Sequence, residues 1–179
     1  FKSKKFKRFS LSKAKAHWIP VKEELKAIAA RKYVDELGRV DQMWDWLRDH
    51  YGSLIAVDAP HAFHAEQLTF AEIAQRISLA AAAFRQFGIG EGDVSALFAE
   101  NSPRWLVVDQ GLMRVGAADA VRGAYAPVEE LRYILEDCGA TSLIVQTGEL
   151  WKKLDLTDVQ RKSLRLVLQL EGEPVEGVI

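Results

Sequence analysis

Leu68-Thr69-Phe70-Ala71-Glu72-Ile73, then Glu100-Asn101-Ser102-Pro103-Arg104-Trp105, then Leu112-Met113-Arg114-Val115-Gly116-Ala117 stand in one continuous block, residues 68–146. The block reads helix, strand, helix, strand, helix, strand. Thr69 caps a helix expected over 70–87, and Glu72 is spaced to complete a capping box. Ile73, Ile77, Ala81 and Phe84 recur at helical spacing until Gly88 stops them. Gly90-Glu91-Gly92-Asp93 then turns into a strand over 94–99. Ser102 is a capping residue and Pro103 suits the first helical position. The helix they open aligns Trp105, Val108, Leu112 and Val115 and ends at Gly116. Residues 118–122 form a short strand. Pro127 opens another helix, with Glu129 and Glu130 in the first turn, where the helix dipole favours acids. Leu131, Ile134, Leu135 and Cys138 form its apolar stripe and Gly139 its stop, after which Leu143-Ile144-Val145 reads as a buried strand. Strands alternating with amphipathic helices imply an α/β fold: a partial parallel sheet with flanking helices.

Outward from this block the pattern is less regular. Residues 54–67 hold short apolar runs broken by Pro60 and read as a small hairpin or loop. Helices are expected over 21–37, with Leu25, Ile28 and Ala29 on one face, and over 41–50, with Met43, Trp44 and Leu47 on one side. Past Gln146 the periodicity loosens; residues 164–170 suggest one more strand and 171–179 a loop. The expected organisation is a basic amphipathic arm over 1–20, a helical lead-in over 21–52, and an incomplete α/β subdomain over 53–179.

The formal net charge of −1 conceals a division: residues 1–32 carry eleven Lys/Arg against two Glu, and residues 33–179 thirteen against twenty-three acids. Such asymmetry suggests an arm that seeks an anionic partner. A single cysteine excludes an internal disulfide framework and makes a reducing compartment the default, with a cytoplasmic setting expected. No apolar run approaches the roughly 20 residues of a membrane span, and no signal-peptide core follows the basic start. A chain beginning at Phe1 is expected to lack its natural start.

Most candidate chemistry here has a plain structural reading. Gly88, Gly90 and Gly92 follow a helix and open a strand, the reverse of a phosphate-binding loop, and read as a turn. His61 and His64 lack further ligands at metal-site spacing. Cys138, on an apolar stripe, reads as a small hydrophobe. The neighbouring carboxylates Glu129/Glu130 and Glu136/Asp137 read as a solvated face. Arg122 and Gly123 differ. They directly follow a buried strand, where α/β sheets present ligands, and an arginine there can hold a carboxylate or phosphate; the alternative is an ion pair with a neighbouring acid. In the arm, Lys2, Lys4, Lys5, Lys7, Arg8, Lys13, Lys15 and Trp18 are interleaved with Phe1, Phe6 and Phe9. Such a segment suits an anionic membrane surface, an acidic protein, or no specific partner at all. Nucleic acid is less favoured, because the remaining domain is acidic and has no recognised binding motif.

The quoted motifs, taken in order with Phe87-Gly88-Ile89-Gly90-Glu91-Gly92-Asp93, resemble the N-terminal subdomain of the adenylate-forming (AMP-binding) acyl synthetases over roughly residues 41–149. Where that family usually continues into a strand ending Val-Pro, this chain has Ala118-Asp119-Ala120-Val121-Arg122-Gly123-Ala124, followed by Val128-Glu129-Glu130-Leu131. That departure is similar to the long-chain acyl-(acyl-carrier-protein) synthetases of cyanobacteria and plastids. The resemblance implies a ligase using ATP and Mg2+: a fatty acid carboxylate forms an acyl-adenylate, and a phosphopantetheine thiol accepts the acyl group. Acyl carrier protein is the leading acceptor and coenzyme A the second. The family's Ser/Thr/Gly-rich phosphate loop and C-terminal lysine have no match here, so the resemblance implies no catalytic residue among these positions, no activity from these residues alone, and no cofactor bound by them. Both a membrane-partitioned fatty acid and an acidic carrier protein would attract the arm, and peripheral attachment to a membrane is one expectation. The rival expectation is a non-catalytic module that binds a membrane or an acidic partner.

Overall fold

The computed structural model describes residues 37–62 and 65–179. The basic arm, almost all of the expected helix over 21–37, and His64 lie outside them. Arg39 to Ile179 forms one compact unit. It begins with a 3-10 turn, Val40–Gln42, and helix α1, Met43–Tyr51. Strands β1, Ile55–Ala59, and β2, Glu66–Thr69, pair antiparallel as a hairpin, the first of the two possibilities for this stretch. Then come α2, Phe70–Gln86; β3, Val94–Phe98; α3, Pro103–Val115; β4, Ala118–Arg122; α4, Val128–Asp137; and β5, Ser142–Thr147. Two short helices, α5, Gly148–Leu154, and α6, Asp158–Ser163, lead to β6, Leu166–Glu171.

The expected end signals act as anticipated. Thr69 and Glu72 exchange the two hydrogen bonds of a capping box on α2. Ser102 Oγ accepts the Trp105 N–H with Pro103 in the first turn of α3, and Gly116 closes that helix at φ 81°, a conformation easy only for glycine. Helices α5 and α6, absent from the sequence reading, are capped in the same way by Thr147 and Thr157.

The second sheet has four parallel strands in the order β4-β3-β5-β6. The chain therefore steps outward from β3 to β4, crosses back over β3 to β5, and continues outward to β6. Helix α3 lies on one face, where Val108, Leu112 and Val115 join Phe84 of α2, Leu97 of β3 and Ile144 of β5. Helices α4 and α5 lie on the other, where Leu131, Leu135, Trp151 and Leu154 cover Ala96, Phe98, Leu143 and Val145. Residues 96 to 98 and 143 to 145 thus alternate between two buried layers, as a sheet covered on both faces requires. A third cluster, with Trp44, Leu68, Ile73, Ala74 and Ile77, fixes α1 and the hairpin to α2.

Candidate functional site

In a parallel sheet of this winding, the switch of helices from one face to the other opens a crevice at the carboxyl ends of the strands. Here the reversal lies between β3 and β5. The loop after β3 turns toward α3, and the loops after β4 and β5 turn to the opposite face. A cleft of about 270 Å3 opens between those last two loops, lined by Ala124, Tyr125, Val128, Gln146, Thr147 and Lys153, among others. The Tyr125 side chain is 86% exposed at its rim.

A polar network holds this edge. The Glu100 N–H donates to Gln146 Oε1 at 3.1 Å, and Gln146 Nε2 donates to Glu171 Oε2 at 3.4 Å. One amide side chain thereby ties the ends of β3, β5 and β6 together. Gly123 passes so close to Glu100 that a Cβ there would lie 2.7 Å from Glu100 Oε1. Arg122 stands at the end of β4, and its Nε donates to Glu130 Oε1 at 2.7 Å. That hydrogen bond and the charge of Glu130 hold the guanidinium more firmly protonated than usual. Arg122 and Gly123 thus share the carboxyl edge, with the guanidinium paired across to α4. The arm residues Lys2, Lys4, Lys5, Lys7, Arg8, Lys13, Lys15 and Trp18 lie outside the described part.

The opposite edge is a clamp. Gly90 N–H donates to Asp93 Oδ2 at 2.8 Å, while Arg165 donates to Asp93, to Thr141 and to the Gly88 carbonyl. The glycine-rich segment is therefore a turn locked by its own aspartate, in keeping with its plain reading. Gln146, Glu100 and Glu171 were not singled out in the sequence. Only Glu171, a charge followed by Gly172 at a strand end, shares the pattern that selects Arg122 and Gly123; Glu100 and Gln146 do not.

Among the described residues, no three His, Cys, Asp or Glu side chains gather as a metal site. Among the same residues, no helix is long and apolar enough to cross a membrane.

Comparison with known proteins fits this architecture. The family model described as AMP-binding enzyme matches residues 46–178. The chain is 34% identical over 134 residues to the chloroplastic long-chain-fatty-acid–[acyl-carrier-protein] ligase AEE15 of Arabidopsis thaliana, covering 75% of this chain and 18% of that protein. It is 32% identical over 139 residues to the probable acyl-activating enzyme 16, chloroplastic, of the same plant, covering 78% and 19%. It thus spans about a fifth of the length of either relative. The anthranilate CoA ligase AuaEII, solved with anthranoyl-AMP, superposes with a TM-score of 0.68 at 20% identity, over 78% of this chain and 26% of that one. A fatty acyl CoA synthetase of Mycobacterium tuberculosis gives 0.65 at 18% identity, over 73% and 26%. With a family model matching most of its length onto a parallel sheet of the expected winding, the chain belongs to the AMP-binding enzymes, whose adenylate-forming fold it shares in the N-terminal subdomain.

Proposed function

We propose that this chain is the N-terminal part of an ATP-dependent ligase that activates long-chain fatty acids as acyl-adenylates and transfers them to acyl carrier protein. The observation that carries this reading is the 34% identity to a long-chain-fatty-acid–[acyl-carrier-protein] ligase across the helix–strand block. The Arg122-Gly123 segment, where the sequence leaves the commoner family pattern, supports the same acceptor. Coenzyme A is the second acceptor, favoured by the fold likeness to CoA ligases.

In this reading the described residues act as scaffold. Parallel strands and two-sided helices fix the carboxyl edge, where Arg122 and Gly123 face substrate. The nucleotide, its Mg2+ and the acid–base chemistry belong to parts of the ligase beyond these residues. The basic arm draws the enzyme to its anionic partners, acyl carrier protein or an anionic membrane surface, through screened long-range attraction. A cytoplasmic location, with peripheral attachment to a membrane through the arm, follows from the same reading.

Acceptor choice is tested on the native polypeptide that carries this chain, given ATP, Mg2+ and palmitate with acyl carrier protein and coenzyme A in competition. The expected product is the carrier-protein thioester. Exclusive formation of palmitoyl-coenzyme A would reverse the order of the two acceptors.

A further inference from the structure

Strand β4 lies at the edge of the sheet, yet it turns a carboxylate inward. Asp119 pairs in register with Ser95 of β3, on the face covered by α3. Ser95 Oγ pairs instead with Ser142 Oγ, 2.5 Å away. Asp119 Oδ2 is buried without a hydrogen-bond partner. Besides its own backbone N–H, the group within hydrogen-bonding reach of its carboxyl is another acid, Asp109 of α3. Asp109 is itself held in place. Gln110 Nε2 donates to its Oδ2 at 2.6 Å, and Gln110 Oε1 accepts the Trp44 indole N–H at 2.8 Å.

Among the described residues no cation is directed at this pair. On α3, Arg104 donates to the Leu170 carbonyl, and Arg114 to Asp45, Ser78 and the Asp41 carbonyl. Strand β3 carries no titratable side chain. On β4, Arg122 is held by Glu130. Helix α4 packs on the opposite face of the sheet, where Arg132 donates to the Leu154 carbonyl, Tyr133 to Asp137, and Glu136 accepts from Gln160.

We propose that Asp119 keeps its proton, directed at Asp109, and forms a pH-dependent latch between α3 and the edge strand β4. With the proton present, one carboxyl donates to the other and the buried oxygen is satisfied. When the proton leaves to water, two carboxylates confront each other across the helix–strand contact. Burial, and then the Asp109 carboxyl, push Asp119 up to about 6. Its folded pKa thus exceeds its unfolded one of roughly 3.9. The stabilisation is complete below the unfolded value and is lost as pH rises through the folded value, a window from about 4 to about 6. The strand released is the one whose carboxyl end carries Arg122 and Gly123.

The test uses the full 179-residue chain, labelled with carbon-13 to follow the aspartate carboxyl carbons, and compares hydrogen exchange of the β4 amides between variants at one neutral pH. Asp119 is expected to titrate well above the ordinary carboxylate range. In Asp119→Asn the β4 amides should exchange more slowly than in the unaltered chain, by up to about a hundredfold, the fold-change of the two-unit window. Asp109→Asn supplies an independent arm, because removing the neighbouring acid should lower the Asp119 midpoint. An Asp119 midpoint in the ordinary range, equal β4 exchange in Asp119→Asn and the unaltered chain, or a midpoint indifferent to Asp109→Asn would overturn the latch.

Discussion

Two aspartates show how residue chemistry follows placement. Asp93 lies at the amino edge of the sheet, where the Gly90 N–H first, and then Arg165, hold its carboxyl below the usual range. Its contribution is therefore present above the unfolded pKa and lost as pH falls through the depressed folded one, the mirror image of Asp119. Replacing Asp93 by Ala removes the acceptor that locks the turn and, with it, the charged partner of Arg165, which keeps Thr141 and the Gly88 carbonyl. Because the group touches water, the expected loss is modest, about 1 kcal/mol in urea unfolding at neutral pH. An unchanged midpoint would mean the clamp is a surface contact only.

At the scale of elements, the crossing of α2 and α3 sets the spacing of the face they cover. Gly111 makes that approach possible, since a Cβ there would meet Ala80 Cβ at 2.9 Å and Phe84 Cε2 at 3.2 Å. Ala80 is fixed to its backbone, so relief requires the helices to part. Gly111→Ala should cost about 1–3 kcal/mol through overpacking, despite the better helix propensity of alanine, and thermal unfolding would read it. Elements of this length were legible in the sequence because caps and periodicity agreed: Thr69 with Glu72, and Ser102 with Pro103, stand where the helices begin. Helices α5 and α6 were not legible. Seven and six residues complete too few turns for a periodicity to emerge, and Gly148 at the start of α5 reads as a breaker. Its reason is tertiary, because a Cβ there would lie 2.5 Å from Val175 Cγ1. The hairpin is ambiguous for a related reason: β1 is exposed at Ile55 and Asp58 and never fully buried, so it lacks clean alternation. At the site, Arg122 stands out as a charge closing a strand expected to be buried, whereas β4 is an edge strand exposed at Ala118, Val121 and Arg122. Its partner Glu130 and the bridge through Gln146 depend on contacts that no local pattern encodes.

The whole molecule sets a cationic N-terminal stretch against an acidic remainder. If the arm serves anionic surfaces, the chain should bind vesicles containing anionic lipid, and binding should fade as salt rises. Changing Lys4, Lys5, Lys7 and Arg8 together to Gln should weaken that binding strongly, at about 1 kcal/mol per charge near the surface. Undiminished binding in a vesicle-sedimentation assay would remove the electrostatic account. The described residues, meanwhile, place helices on both faces of a parallel sheet, which the proposed function reads as the scaffold of a ligase. The most direct measurement is therefore ATP–pyrophosphate exchange by the native polypeptide that carries this chain, captured from its source cell with an antibody to residues 39–179. Exchange that depends on palmitate is predicted. No exchange with any fatty acid would contradict the assignment as part of a fatty-acid-activating ligase.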